Sequence, residues 1–291
     1  MSELPRLIVS GILTGSIYGL LAMGLSLQYG VCRVLNIAHG EFVMLGAMLT
    51  FFFSFSLGIN PLVAPAIIGP LLFGLGFLLQ TTLFRALKAR APSPAAFEGS
   101  ALLAAFGVLY IIQYLARVRW GTLLLPSPYL TDSVPFIGRM NLSLNQIVSF
   151  AIAVALGIAV YLFLTRSRLG RAIRATAEDQ ATAGLMGVNT NMILAFCFGL
   201  GALLAGIAGT LISMRIYANT GIGFSNTVIA LIVVTLGGLG SVPGSFIAGI
   251  IIGIVSMLVT GLWESVLTVP VYYGILMVLL LARPAGIFGK K

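Results

Sequence analysis

Nine apolar runs follow one another along the chain, at 7–29, 42–57, 62–83, 100–115, 144–164, 192–214, 226–236, 246–259 and 271–281, each closed by charge, proline or glycine. A straight helical crossing of a bilayer takes about 20 apolar residues. The runs are continuously apolar rather than alternating, which speaks against a transmembrane β-barrel. Several are shorter than a full crossing, 226–236 most of all. The reading is therefore an all-α polytopic transmembrane bundle of about eight to ten helices with broken or re-entrant segments, one domain spanning 1–291. The charge supply agrees. Only 8% of residues are charged and 59% are hydrophobic, whereas a water-facing surface draws on roughly 25% charged residues.

The basic residues set an expected orientation. With the N-terminus outside and the C-terminus in the cytoplasm, Arg33, Arg85, Lys88, Arg90, Arg166, Arg168, Arg171, Arg174, Arg283, Lys290 and Lys291 fall inside. Arg6, Arg117, Arg119, Arg139 and Arg215 remain outside, in line with the positive-inside rule. The net charge of +9 thus reads as membrane anchoring, not as a nucleic-acid surface. Cys32 and Cys197 have no metal-ligand spacing and read as small apolar residues, and no metal site is expected. Glycines at spacing near four, such as Gly11, Gly15 and Gly19, let helix backbones approach closely.

Two interruptions stand out. The first, Asn36-Ile37-Ala38-His39-Gly40-Glu41, holds the single histidine and a carboxylate between two apolar runs. Polar groups at membrane depth are costly and mark pathways, so Asn36, His39 and Glu41 are candidates to line one. Capping is the alternative, with Asn36 as cap and Glu41 at the positive end of the following helix. The second interruption runs through Gly237, Gly238, Gly240, Pro243 and Gly244. It lacks the βαβ surroundings of a dinucleotide site. It reads as a discontinuous helix pair or as a plain tight hairpin, and these glycines with Pro243 complete the pathway candidates.

The stretch 165–191 is the polar run richest in charge. Taken as one helix, it puts Ile173, Ala177, Ala181 and Leu185 on a stripe at spacing four, with Arg174, Glu178 and Thr182 on another face. Small residues on the stripe suit a partner's groove, and an amphipathic helix resting on membrane lipid is the other reading. No G-x-x-x-x-G-K-[ST] occurs, so the chain itself cradles no ATP, and no protease or hydrolase motif is present either. The carboxylates lie in loops, termini or a helix start, which disfavours ion-coupled transport. Transport energy is expected from another chain, and no catalytic residue is expected in this one.

Several stretches together resemble the membrane permease subunit of bacterial ABC importers for branched-chain amino acids, the LivH type. They are Gly15-Ser16-Ile17-Tyr18-Gly19-Leu20, Asn36 to Phe42, Gly170-Arg171 leading to Ala177-Glu178-Asp179, Gly184 to Asn189, Gly237 to Gly244, and Arg283 to Gly289. The resemblance implies a cytoplasmic coupling segment, often E-A-A-x-x-x-G with a later I-x-L-P. Glu178 and Gly184 match its start, whereas Asp179 and Gln180 replace the alanines and Leu194, Phe196 and Cys197 stand where the ending would be. Arg174, Glu178, Asp179, Gly184 and Gly187 are accordingly candidates for ATPase coupling. The resemblance further implies a second permease subunit, LivM-like or a copy of this chain, and an extracytoplasmic solute-binding protein. It also implies two cytoplasmic ATPases carrying ATP and Mg. The place would be the inner membrane and the work alternating-access import. A stand-alone channel for a small neutral solute such as urea is the alternative.

Overall fold

A computed structural model describes residues 3–122, 124–125, 129–137, 140–263, 265–283 and 286–289. Arg139, Lys290 and Lys291, named above, lie outside the described residues, as do Pro284 and Ala285 of the stretch that begins at Arg283. Each apolar run becomes a helix, longer at most ends than its apolar stretch. They are α1 (Glu3–Cys32), α2 (His39–Leu57), α3 (Ala64–Leu79), α5 (Pro94–Trp120), α6 (Leu144–Arg166), α9 (Thr190–Ser213), α10 (Ile222–Gly237), α11 (Val242–Leu262) and α12 (Thr268–Ala282). From α3 the helix continues through a π-helical turn at Gln80–Phe84 into α4 (Arg85–Arg90), carrying its basic end beyond the apolar part. Among the described residues seven helices are long and apolar enough to cross a membrane, while Ile222–Gly237 and the helix that follows Ser265 are shorter. The charged stretch forms α7 (Arg168–Glu178) and α8 (Gln180–Leu185). A small antiparallel hairpin, β1 (Ser133–Ile137) and β2 (Met140–Ser143), joins α5 to α6 and lies outside the sequence-level expectation.

Close backbone approach organises the bundle. A Cβ on Gly15 of α1 would stand 2.6 Å from the Cα of Ile250 on α11, and one on Gly11 would stand 2.5 Å from that of Ile254. Gly249 and Gly253 of α11 face Gly19 and Gly15 in return. This seam of small residues is how α1 and α11 associate when lipid offers no hydrophobic drive. Helix α9 is buried on almost every face and forms the centre. Gly76 of α3 meets Ala202 there, Gly199 meets Phe73, and Gly46 of α2 meets the backbone of Gly206. Phe84 and Phe198 pack at a tilt, with 5.0 Å between ring centroids. By contrast α5 and α6 are peripheral, with Leu103, Tyr110, Tyr114 and Tyr161 exposed on their outer faces.

The two ends of the bundle differ. At one end the C-terminus of α1, α4, the start of α5 and the α7–α8 segment gather around a cavity of about 470 Å³ lined by Cys32, Arg33, Lys88, Phe97, Glu178 and Gln180 among others. At the other end Leu125 pairs with Ala218 in an isolated antiparallel bridge, near the hairpin that leads into α6.

Candidate functional site

The first interruption turns back into the bundle. His39 begins α2, yet its Nε2 lies 3.1 Å from the carbonyl of Leu21. Leu21 is eleven residues before Cys32, where α1 ends, or ~16 Å back along the helix. Residues 33–38 therefore fold inward, and α2 starts about midway along α1.

Gln28 holds this junction. Its Nε2 donates to the carbonyl of Phe198 on α9 at 3.0 Å, and its Oε1 accepts from Nδ2 of Asn36 at 3.2 Å. The same oxygen lies 3.2 Å from Nδ1 of His39. Both ring nitrogens of His39 thus face acceptors, of which a neutral imidazole can satisfy one. Asn36 also caps the turn, its Oδ1 accepting from the Ala38 N–H at 3.1 Å. Helix α10 closes the junction from the other side. The Thr227 hydroxyl accepts from the Gly40 N–H at 2.9 Å and donates to the carbonyl of Ile37 at 2.9 Å. Any Cβ at Gly40 would run into the Gly223 carbonyl, so this crossing requires glycine.

Glu41 sits in the first turn of α2, fully buried, and neither carboxylate oxygen accepts a hydrogen bond from the described residues. Helix α2 thus starts from Ala38 with no side-chain cap, Asn36 closes the turn before it, and Glu41 stands in the first turn, at the positive end of the helix. Asn36, His39 and Glu41 are brought together at one junction. Gly237, Gly238, Gly240, Pro243 and Gly244 lie in a separate place.

That second group forms the short turn between α10 and α11. Gly238 and Gly240 have φ of +97° and +88°, left-handed values that suit glycine. Ser241 caps α11 by accepting from the Gly244 N–H at 3.3 Å, and Pro243 sits in its first turn. Gly240 packs on Gly30 near the end of α1, and Gly286 of the C-terminal segment packs on Gly238. The backbone N–H of Ile287 donates to the Leu236 carbonyl at 2.8 Å. The turn is a closely packed corner at the end of the bundle that carries α7 and α8, and residues 286–288 dock on it.

The charged stretch departs from the single-helix reading. Helix α7 ends at Glu178, and Asp179, extended at φ −149° and ψ 113°, caps a new helix. Its Oδ1 accepts from the N–H groups of Ala181 at 2.8 Å and Thr182 at 3.3 Å, and its Oδ2 accepts from the Thr182 hydroxyl at 2.7 Å. The Thr182 hydroxyl, then the two backbone N–H groups, hold the Asp179 carboxyl below its ordinary range. A side-chain oxygen able to cap competes with helix continuation, which is why the stripe breaks here. Ile173 packs into the bundle, while Leu185 is 88% exposed. Arg174 belongs to the α7 anchoring, its guanidinium donating to the Leu164 carbonyl at the end of α6.

Helix α8 is short and tightly terminated. The Gly187 N–H donates to the Gly184 carbonyl at 3.0 Å and the Val188 N–H to that of Ala183 at 3.1 Å, with Gly187 at φ +84°. These are the bonds of a Schellman stop, which places glycine in the left-handed position. The stop leaves Leu185 and Met186 projecting, 88% and 82% exposed. Gln180 ties the element to the bundle: Lys88 Nζ donates to its Oε1, and its Nε2 donates to the Val31 carbonyl at 2.9 Å.

Gln28, Thr227 and Gln180 are absent from the sequence-level candidates. Gln28 carries a signal, as the lone side-chain amide in the run 7–29. Arg215 likewise reads in the sequence only as a flanking charge. It is half-buried and donates to the Thr14 hydroxyl at 3.1 Å.

A polytopic helical membrane protein with an inward-folded polar junction and a projecting terminal element is the class that fold and site define. Residues 7–282 match the family of branched-chain amino acid transport system permease components, and the chain belongs to that family. The permease protein BraD of Pseudomonas aeruginosa, of a high-affinity branched-chain amino acid transport system, is 30% identical over 97% of this chain and 95% of its own. Its LivH counterpart in Escherichia coli K12 is 30% identical over 97% and 94%. A probable LivH of Methanocaldococcus jannaschii is 28% identical over 98% and 92%. Among solved structures, PsaBC from Streptococcus pneumoniae in complex with Fab shares the fold, with a TM-score of 0.52 and 12% identity over 96% of this chain and 92% of that one.

Proposed function

We propose that this chain is the membrane-spanning permease subunit of an ATP-driven ABC importer that takes branched-chain amino acids into the cell. The observation that carries the reading is the match to permease components over residues 7–282, with relatives covered almost end to end. Those relatives are named as parts of a transport system, which favours a subunit over a stand-alone urea channel. The subunit sits in the bacterial inner membrane with its N-terminus outside and its C-terminus in the cytoplasm, in line with the distribution of basic residues. It pairs with a LivM-like subunit or a second copy of itself, and with two cytoplasmic ATPases on which ATP and Mg act. An extracytoplasmic binding protein delivers leucine, isoleucine or valine.

Coupling runs through α8. Leu185 and Met186 project at its tip, where the ATPases dock. Motion imposed there reaches Val31 through Gln180, and α1 passes it to Gln28, which Asn36 and His39 share. Asn36, His39 and Glu41 border the pathway that this motion opens and closes. The Gly237–Gly244 corner keeps α10 and α11 on their axes as it does so.

Gentle detergent purification of the tagged chain from native membranes, with mass spectrometry of its companions, tests the assembly. Stoichiometric polypeptides bearing a P-loop, with a permease partner, are expected. This chain alone, together with ATP-independent solute flux after reconstitution, would overturn the reading.

A further inference from the structure

Helix α6 ends in a tightly built elbow. Ser167, in an extended conformation, caps α7, its hydroxyl accepting from the Gly170 N–H at 2.8 Å. Gly170 packs so closely that any Cβ would collide with the carbonyls of Phe163 and Leu164. Arg174 closes the fold by donating to the Leu164 carbonyl. Helix α7 is thereby held against the end of α6, with Gly170, Ile173 and Thr176 buried in the bundle.

Arginine crowds the outer side of this elbow. Arg166, Arg168 and Arg171 are exposed, and none of them pairs with a carboxylate of the described residues. The chain holds no Asp or Glu between Asp132 and Glu178, so nothing along this stretch offsets the charge. Arg168 and Arg171 stand three apart and share one side of α7. An apolar stripe leads up to the same place. Ile158 and Leu162 are exposed on α6 at spacing four, and Arg166 continues their line. Tyr161 and Leu169 are exposed beside them, before and after the elbow. On a membrane-crossing helix an exposed apolar stripe faces hydrocarbon, and the headgroups begin where it gives way to arginine.

The residue type narrows the ligand. A planar guanidinium presents paired N–H donors that match phosphate oxygens, and every basic residue of the elbow is arginine. The projecting tip at Leu185 and Met186 lies beyond the Asp179 break, on a separate helix. We propose that the α6–α7 elbow binds the phosphate headgroup of an anionic phospholipid through Arg166, Arg168 and Arg171, with the acyl chains along Ile158 and Leu162. The site goes beyond the import reading and does not depend on which solute is carried. Lipid seated there fixes α7 at the membrane surface, one segment before α8.

The test uses the purified chain, with whatever companions it retains, in a nonionic detergent. Melting temperature, and the lipid retained in native mass spectrometry, are measured with added phosphatidylglycerol, phosphatidylcholine or inorganic phosphate. Phosphatidylglycerol is expected to stabilise the wild type, and the other two to leave it unchanged. The triple variant Arg166→Gln, Arg168→Gln and Arg171→Gln should lose that stabilisation. It should also retain at least about tenfold less anionic lipid, since each basic residue near such a surface contributes about fivefold. The triple variant Arg166→Lys, Arg168→Lys and Arg171→Lys keeps the charge and should keep most of both. If the glutamine triple does not fold, each of its three single substitutions should show part of the loss. Equal stabilisation of wild type and glutamine variants by phosphatidylglycerol overturns the proposal. So does equal stabilisation of the wild type by phosphatidylcholine, or by inorganic phosphate, the latter marking a site for free anions. Loss of companion polypeptides from the glutamine variants without added lipid also overturns it, and assigns the arginines to a protein interface.

Discussion

At the scale of single residues, buried polar groups in this protein either share a partner or lack one, and the two cases behave differently. Gln28 bonds Phe198 and Asn36 and faces His39. Replacing it by leucine strands those groups in an apolar interior, and leaving a buried donor or acceptor unmade costs about 1–3 kcal/mol. Gln28→Leu should therefore lower the melting temperature in detergent, where replacement of an outward residue such as Leu103, 73% exposed, leaves it unchanged. Asp179 carries a pH dependence instead. Hydrogen bonds from Thr182 and Ala181 hold its carboxyl below the ordinary value. A depressed folded value means that the cap's contribution is full above the unfolded pKa, about 3.9, and is lost as pH falls through the folded one. Protection of the α8 amides, taken as exchange relative to the intrinsic rate at each pH, should thus fall in acid in the wild type, and Asp179→Ala should show the lowered protection already at neutral pH.

At the scale of elements, glycine decides which helices touch. Gly249 of α11 abuts Gly19 of α1, whereas a Cβ on Gly274 of α12 would meet no atom of the described residues within 4 Å. Gly249→Leu should separate the α1–α11 pair, at a cost of about 1–3 kcal/mol or more. Gly274→Leu should be tolerated, and melting of the two purified variants distinguishes them. At the C-terminal stop of α8, Gly187 at φ +84° accepts a side chain only with strain, about 1–2 kcal/mol. Gly187→Val should reorient Leu185 and Met186 and weaken ATPase recovery without lowering the amount of chain in the membrane.

At the scale of the whole molecule, the two polar features lie apart and are joined by α1. Gln180 reaches the Val31 carbonyl at one end, and Gln28 reaches α2 and α9 further along. Gln180→Ala should leave the ATPases bound and their hydrolysis running, while solute uptake per ATP falls several-fold, since the tie is cut and the docking tip remains. Charge reversal at Glu178, which borders the same end cavity, should reduce uptake while the external protein still binds solute. Transport assays in proteoliposomes, paired with solute binding to the isolated binding protein, check both. Unchanged uptake in the two variants would remove coupling from this segment.

The sequence by itself determined the order and approximate limits of the apolar helices. That information is local, because a continuous apolar run of bilayer length has few alternatives to a helix. It also marked 36–41, 237–244 and 165–191 as breaks in the apolar pattern. Only the tertiary structure decided what those stretches do. Spacing alone carries Ile173 to Leu185 through one helix, but the Asp179 side chain captures the N–H groups beyond it and turns the tip outward. The inward fold of residues 33–38 depends on Leu21, Gln28, Phe198 and Thr227, which belong to three other helices. Helix formation is governed by neighbours along the chain, whereas the partner of a buried polar group is chosen by segments far apart in it.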